Sequence, residues 1–108
     1  MPAATIRPRR TKNKQNPRWD ADAHQLLWRG RVIKTFRHDA ANQRRMLQAF
    51  QDRDWPSRID DPLPVVAGFH RKERLRETVR SLNRGLRGSG IRFRMDGTTS
   101  GAFWEMDM

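Results

Sequence analysis

Residues 71–87 form one amphipathic stretch that constrains the fold more than any other part of the chain. Leucine and valine side chains recur there at spacings of three and four residues, which is the spacing of one face of an α-helix. Arginine side chains gather on roughly the opposite side. The pattern predicts a helix from about His70 to Arg87, with one side packed on a core and the other open to an anionic partner. The apolar stripe consists of Leu75, Val79, Leu82 and Leu86, and the basic side of Arg76, Arg80, Arg84 and Arg87.

The charge of the chain is the second constraint. Its 108 residues include 23 Lys and Arg against 12 Asp and Glu, which gives a formal net charge of +11. The excess lies at the two ends, since residues 1–37 are net +8, residues 38–68 net −1 and residues 69–108 net +4. Such charge attracts nucleic acid, an acidic protein or an anionic membrane surface.

Length and composition favour one small domain with a modest core. The absence of cysteine excludes a disulfide framework and a thiolate metal site. No apolar run approaches the roughly 20 residues that span a bilayer, and the basic N-terminus lacks the apolar segment of a secretory signal. We therefore expect a cytoplasmic protein, nucleoid-associated if it binds DNA, with no membrane partner.

Residues 1–18 predict a disordered basic arm, because they contain three prolines, no acidic residue and one large aliphatic side chain. Such an arm either follows a phosphate backbone or serves as a solubilising tail. The folded domain is predicted to cover residues 19–108. The arm residues expected to contact nucleic acid are Arg7, Arg9, Arg10, Lys12 and Lys14.

The first half of the domain predicts a short β-hairpin followed by a helix. β-branched and aromatic residues indicate strands near 25–28 and 31–36, joined by a turn at Arg29-Gly30; a single strand bent at Gly30 is the alternative. A helix is expected from about Asp39, as its N-cap, to Arg53, before Pro56. The proline-rich residues 56–68 predict a connection packed on the domain, with one helical turn near Asp60–Leu63.

A second hairpin is predicted after the long helix. Residues 91–95 alternate apolar and basic side chains, as a half-buried strand does, and residues 102–106 return as its partner across a loop at 96–101. The fold class is therefore α+β, with an N-terminal hairpin, two main helices and a C-terminal two-stranded hairpin.

This order of elements resembles a winged helix-turn-helix domain, in particular the effector domain of OmpR/PhoB-type response regulators. The resemblance covers about residues 25–106. It is carried by the turn at Gly30, the basic and apolar residues of 74–86, Ile91-Arg92-Phe93-Arg94 and Gly101-Ala102-Phe103-Trp104. The chain departs from the family where prolines occupy the zone of the helix that precedes the recognition helix. No receiver domain accompanies the pattern, so phosphorylation control is not implied.

The resemblance implies double-stranded DNA as the partner, with the 70–87 helix in a major groove and the second hairpin as a wing. A protein interaction module for an acidic partner and an RNA- or ribosome-associated protein are the alternatives, and a homodimer is left open. A solvated helix face with internal salt bridges Glu73–Arg76 and Glu77–Arg80 is the simpler interpretation of the charge pattern. The residues expected to contact nucleic acid are Arg71, Arg74, Arg76, Arg80, Asn83, Arg84, Arg87, Arg92 and Arg94.

No catalytic, metal or cofactor pattern emerges from the sequence. The three histidines are far apart and no cysteine accompanies them, so zinc spacing is absent. The glycine-rich residues 85–90 follow the predicted helix and lack the Gly-Lys-Ser/Thr ending of a phosphate-binding loop. Adjacent Asp60 and Asp61 favour turn or capping roles. We expect a protein that is not an enzyme and carries no cofactor, with most of its aromatic side chains in the core.

Overall fold

Two helices and two three-stranded antiparallel sheets make up the fold in the computed structural model, which describes residues 16–68, 70–98 and 100–106. The predicted α+β class is confirmed. Residues 1–15 of the predicted arm, with its five proposed contact residues, lie outside the described residues. Neither helix of the described part is long and apolar enough to cross a membrane.

The N-terminal sheet contains β1 (Arg18–Asp20), β2 (Gln25–Trp28) and β3 (Arg31–Thr35), in that order. The predicted hairpin is confirmed, because Arg29 and Gly30 turn with φ of 54° and 79°. The alternative of one bent strand is wrong. β1 was not predicted, since three residues are too few to show a period of two. It places Arg18, the last residue of the predicted arm, in the sheet, where it pairs with Leu27.

The first helix, α1 (Ala41–Asp52), confirms the predicted helix with a later start. Asp39 is not its N-cap. Ala40 takes that position without a side-chain hydrogen bond, and Asp39 lies 3.7 Å from Arg37 instead. Met46, Leu47 and Phe50 are fully buried. The helix thereby supplies the centre of the core.

Residues 58–60 form a strand, β4 (Arg58–Asp60), so the helical turn predicted near Asp60–Leu63 is wrong. β4 pairs with the last strand of the chain, at residues 101–103. This strand pairing joins segments far apart in the sequence, so the sequence around residues 58–60 does not predict it. Of the large apolar side chains in this connection, Ile59 and Leu63 are buried, whereas Val65 and Val66 are 77% and 40% exposed. No helix precedes the second helix among residues 61–68 and 70.

The second helix, α2 (Arg71–Asn83), ends four residues earlier than predicted. Arg84 is extended at φ −62° and ψ 122°, and Gly85 follows at φ +86°. Leu86 returns to the core with only 2% exposure. Leu86 fits the apolar spacing of the helix in the sequence, but it is buried from the segment that follows α2. The spacing alone therefore predicted a helix that was too long.

The C-terminal sheet contains β5 (Ile91–Met95) and β6 (Gly101–Met106) in the order β4-β6-β5, which confirms the second hairpin. The inner face of this sheet, α1, α2 and the N-terminal sheet share one core, whose burial is the main stabilising term. The predicted aromatic core is confirmed for five side chains at 5% exposure or less, while Phe103 and Trp104 are half-buried. The five are Trp28, Phe36, Phe50, Trp55 and Phe93.

Candidate nucleic-acid interface

The outward side of α2 carries two arginine–glutamate pairs, one helical turn apart. Arg76 NH1 lies 3.0 Å from Glu73 Oε1, and Arg80 NH1 lies 3.1 Å from Glu77 Oε1. The predicted salt bridges are therefore present. All four side chains are 44–65% exposed, where an ion pair contributes about 0–1 kcal/mol to stability. Both guanidinium groups can exchange such weak partners for an anionic ligand at small cost.

The start of α2 adds two more cations. Lys72 is exposed and lies one turn before Arg76, and no carboxylate of the described residues forms an ion pair with it. Lys72 was not among the predicted contact residues, although its i, i+4, i+8 spacing with Arg76 and Arg80 indicates a shared stripe. Arg71 Nε lies 3.9 Å from the carboxylate of Asp61, whose side chain is 2% exposed. Arg71 therefore also anchors the helix start to the preceding loop.

Arg74 does not belong to the exposed face. Its guanidinium donates a hydrogen bond to the carbonyl of Pro64, and its side chain is half-buried. The backbone carbonyl of Arg74 accepts the Thr78 hydroxyl at 2.7 Å. Arg74 thus fixes the 61–68 loop against α2, which makes it a structural residue in this fold.

Asn83 is a structural residue as well. Its Nδ2 donates to the Phe93 carbonyl at 2.8 Å, and its Oδ1 accepts the Phe93 N–H at 2.8 Å. β5 is an edge strand, so this amide satisfies backbone groups that no neighbouring strand reaches. The Asn83 amide, predicted to contact nucleic acid, is engaged within the fold as a clamp between α2 and the hairpin.

Arg84 and Arg87 lie after α2, in the segment that leads to β5. Both are exposed, and neither forms an ion pair with a described carboxylate. Lys34, which was not among the predicted contact residues, approaches from β3 and donates to the carbonyls of Ser81 and Leu82. No spacing in the sequence connects Lys34 with residues 81–84, so this contact appears only in the fold. We call the region that contains Lys34, Arg84 and Arg87 the corner after α2.

The predicted wing arginines share one glutamate. Arg92 Nε lies 2.8 Å and Arg94 NH1 3.3 Å from Glu105 Oε2, across the β5–β6 pair. The hydrogen bond from Arg92 lowers the pKa of Glu105, so this carboxylate stays charged. Arg94 also lies over the Phe103 ring, at 5.5 Å. Both arginines are exposed on one sheet face, as predicted, but they are partly neutralised.

The loop between β5 and β6 is held by a carboxylate. Asp96 accepts hydrogen bonds from the Thr98 hydroxyl and N–H and from Arg58, and these bonds lower the pKa of Asp96 to about 2. Arg58 also pairs with Asp60 at 2.8 Å. The hairpin tip is therefore preorganised by its own side chains.

Among the described residues, the predicted contact residues fall in three groups: the α2 face, the corner after it, and the β5–β6 hairpin. Arg74 and Asn83 serve the fold, and Lys34 and Lys72 join the cationic set. No protein-family model, curated protein or solved structure matches this chain.

Proposed function

We propose that this chain is a winged-helix protein that binds double-stranded DNA, with α2 in the major groove. One observation carries the proposal. α2 buries Leu75, Val79 and Leu82, presents Lys72, Arg76 and Arg80 outward, and is clamped directly to the hairpin that follows it. A rigid, exposed, basic helix beside a hairpin is the arrangement through which helix-turn-helix proteins read DNA.

The order of elements supports the winged-helix arrangement. The chain runs α1, β4, α2, β5 and β6, with β4 paired to β6 and a three-stranded sheet before α1. The segment between β4 and α2 is a loop rather than a helix. This loop contacts α2 through Arg74 and Arg71.

The dimensions of α2 also fit the proposed partner. Thirteen residues at about 1.5 Å per residue span roughly 20 Å, and a helix about 10–12 Å wide enters a major groove about 12 Å wide. Arg76 and Arg80 then face base edges, where an arginine fork binds guanine O6 and N7. Lys72 and Arg71, near the helix start, contact phosphates.

The hairpin supplies the flanking contacts in this arrangement. Arg92 and Arg94 share one carboxylate, so the pair retains one net positive charge that a phosphate can neutralise. The basic residues of 1–15 add backbone contacts that do not depend on base sequence.

Binding of a short duplex as a function of salt tests the proposal. The logarithm of the association constant should fall linearly with the logarithm of the salt concentration, with a slope of about −0.9 for each phosphate neutralised. Arg76→Ala/Arg80→Ala should lose about 1–3 kcal/mol per guanine contact on a preferred site. Arg45→Ala/Arg53→Ala removes the same charge from α1 and the turn after it, and serves as the control.

Two outcomes decide between the candidate functions. If the chain binds no duplex at low salt but binds an acidic protein, the interaction-module alternative replaces this proposal. If both double variants weaken duplex binding equally on every sequence, α2 does not read bases.

A further inference from the structure

Two cationic side chains from distant parts of the sequence meet in a groove beside the end of α2. Lys34 reaches the groove from β3, and Arg84 is the first residue after the helix. The groove has a volume of about 340 Å³, and its other lining residues include Arg37, Asp39 and Gln43. Arg76 and Arg80, which the proposed function uses, are not among its lining residues.

Hydrogen bonds fix the position of Lys34. Its Nζ donates to the carbonyl oxygens of Ser81 at 2.7 Å and Leu82 at 3.1 Å, at the C-terminal end of α2. An ammonium group has three donors, so one N–H remains for a ligand. The half-buried amine is thus held in place before any ligand arrives.

Neither cation of the groove is paired with a carboxylate of the described residues. Asp39 lines the groove but lies 3.7 Å from Arg37, and no carboxylate of the described ranges forms an ion pair with Lys34 or Arg84. Burial, followed by the charge of Arg84, lowers the pKa of Lys34 to about 8. An anion between the two cations would relieve both the repulsion and the unfavourable burial.

We propose that this groove binds a phosphate group between the Lys34 ammonium and the Arg84 guanidinium. A guanidinium binds phosphate through two parallel hydrogen bonds, and an ammonium adds a compact charge. Arg84 has no hydrogen bond from its side chain within the described fold, so its donors are available. A phosphodiester of a nucleic acid and free inorganic phosphate share this chemistry.

A titration with inorganic phosphate, followed by NMR at constant ionic strength with chloride as the control anion, tests the groove directly. Saturable shifts are expected at the amides of residues 34–43 and 81–84, and the pKa of Lys34 should rise. Arg84→Gln should remove these shifts, while Arg53→Gln, an exposed arginine beyond α1, should leave them. Shifts no larger than those with chloride, or unchanged in Arg84→Gln, overturn the site.

Arg84→Gln is the diagnostic variant because it leaves the helix contacts of Lys34 intact. Lys34→Met would remove a ligand donor together with two hydrogen bonds to α2. The folded state of Arg84→Gln is checked by its unaltered amide spectrum away from the groove.

A duplex binding series then identifies the source of the phosphate. If the ligand is a DNA phosphodiester, Arg84→Gln should reduce the salt slope by about 0.9 on every sequence alike. An unchanged slope together with specific phosphate shifts supports the groove as a site for free phosphate. The phosphate titration tests the groove whether or not the chain binds a duplex, and the duplex series tests the proposed function whether or not the groove binds phosphate. Failure of one proposal is therefore distinguishable from failure of the other.

Discussion

The outward face of α2 and the corner after α2 carry the same kinds of residue in opposite electrostatic settings. On the helix, Arg76 and Arg80 each face a glutamate at about 3 Å. In the corner, Lys34 and Arg84 line one groove, and no described carboxylate pairs with either. The two arginines of the helix face are locally paired, while the two cations of the corner have no such partner.

This difference assigns different tasks to the two regions. A face with alternating charges attracts phosphates weakly, so close contact there depends on the match with particular bases. A surface with unbalanced positive charge binds any phosphate. We infer that α2 supplies discrimination and the corner supplies affinity that does not depend on sequence.

The largest expected effect comes from Asn83, the residue that joins the end of α2 to the hairpin. Asn83→Ala removes two hydrogen bonds and leaves backbone groups of Phe93 unsatisfied, so it should lower the free energy of unfolding by about 1–3 kcal/mol. Urea denaturation measures this loss. Asn42→Ala, on α1, should change stability by no more than about 0.5 kcal/mol. Equal effects of both variants would show that the clamp is not a major support of α2.

A smaller effect should follow from removing the acidic half of the helix face. Glu73→Gln/Glu77→Gln should raise duplex affinity several-fold at low salt, because two negative charges leave a surface near phosphates. Stability should fall only by about 0.2–0.5 kcal/mol per lost pair. Asp22→Asn, in the loop between β1 and β2, is the control. A double variant that binds no better than the control would place α2 away from the DNA.

The smallest effect concerns the hairpin tip and its response to acid. The folded-state pKa of Asp96 is about 2, below its ordinary value of 3.8. The contribution of its ionised carboxylate to folding stability is therefore complete above about pH 4 and is lost as the pH falls toward 2. The Thr98 amide resonance should shift through that window. Asp96→Asn should abolish the pH dependence, and a persisting transition in that variant would assign it to another carboxyl group.

Periodic patterns made much of the fold predictable. The β2–β3 hairpin, both helices and the β5–β6 hairpin follow from spacing and turn residues within each segment. β1 and β4 did not follow, because each contains three residues and exists through pairing with a strand elsewhere. Hydrogen bonds between distant segments produce no periodic pattern of apolar residues within either segment, so such patterns do not predict them.

The candidate site was predictable where it lies on one helix. Arg76 and Arg80, with their glutamate partners, follow from positions three residues apart. The roles of Asn83, Arg84 and Lys34 depend on where α2 ends and on what approaches its end. Gly85 lay within the predicted helix, but the sequence did not show that the chain would turn there.

A spin label on α2 tests the central claim most directly. The chain has no cysteine, so Arg76→Cys and Arg45→Cys each offer one position for a nitroxide. If α2 enters the major groove, the label at position 76 should broaden major-groove base resonances of a bound duplex strongly, and the label at position 45 should leave them sharp. Equal broadening from both positions, or stronger broadening from position 45, would contradict the proposed docking of α2.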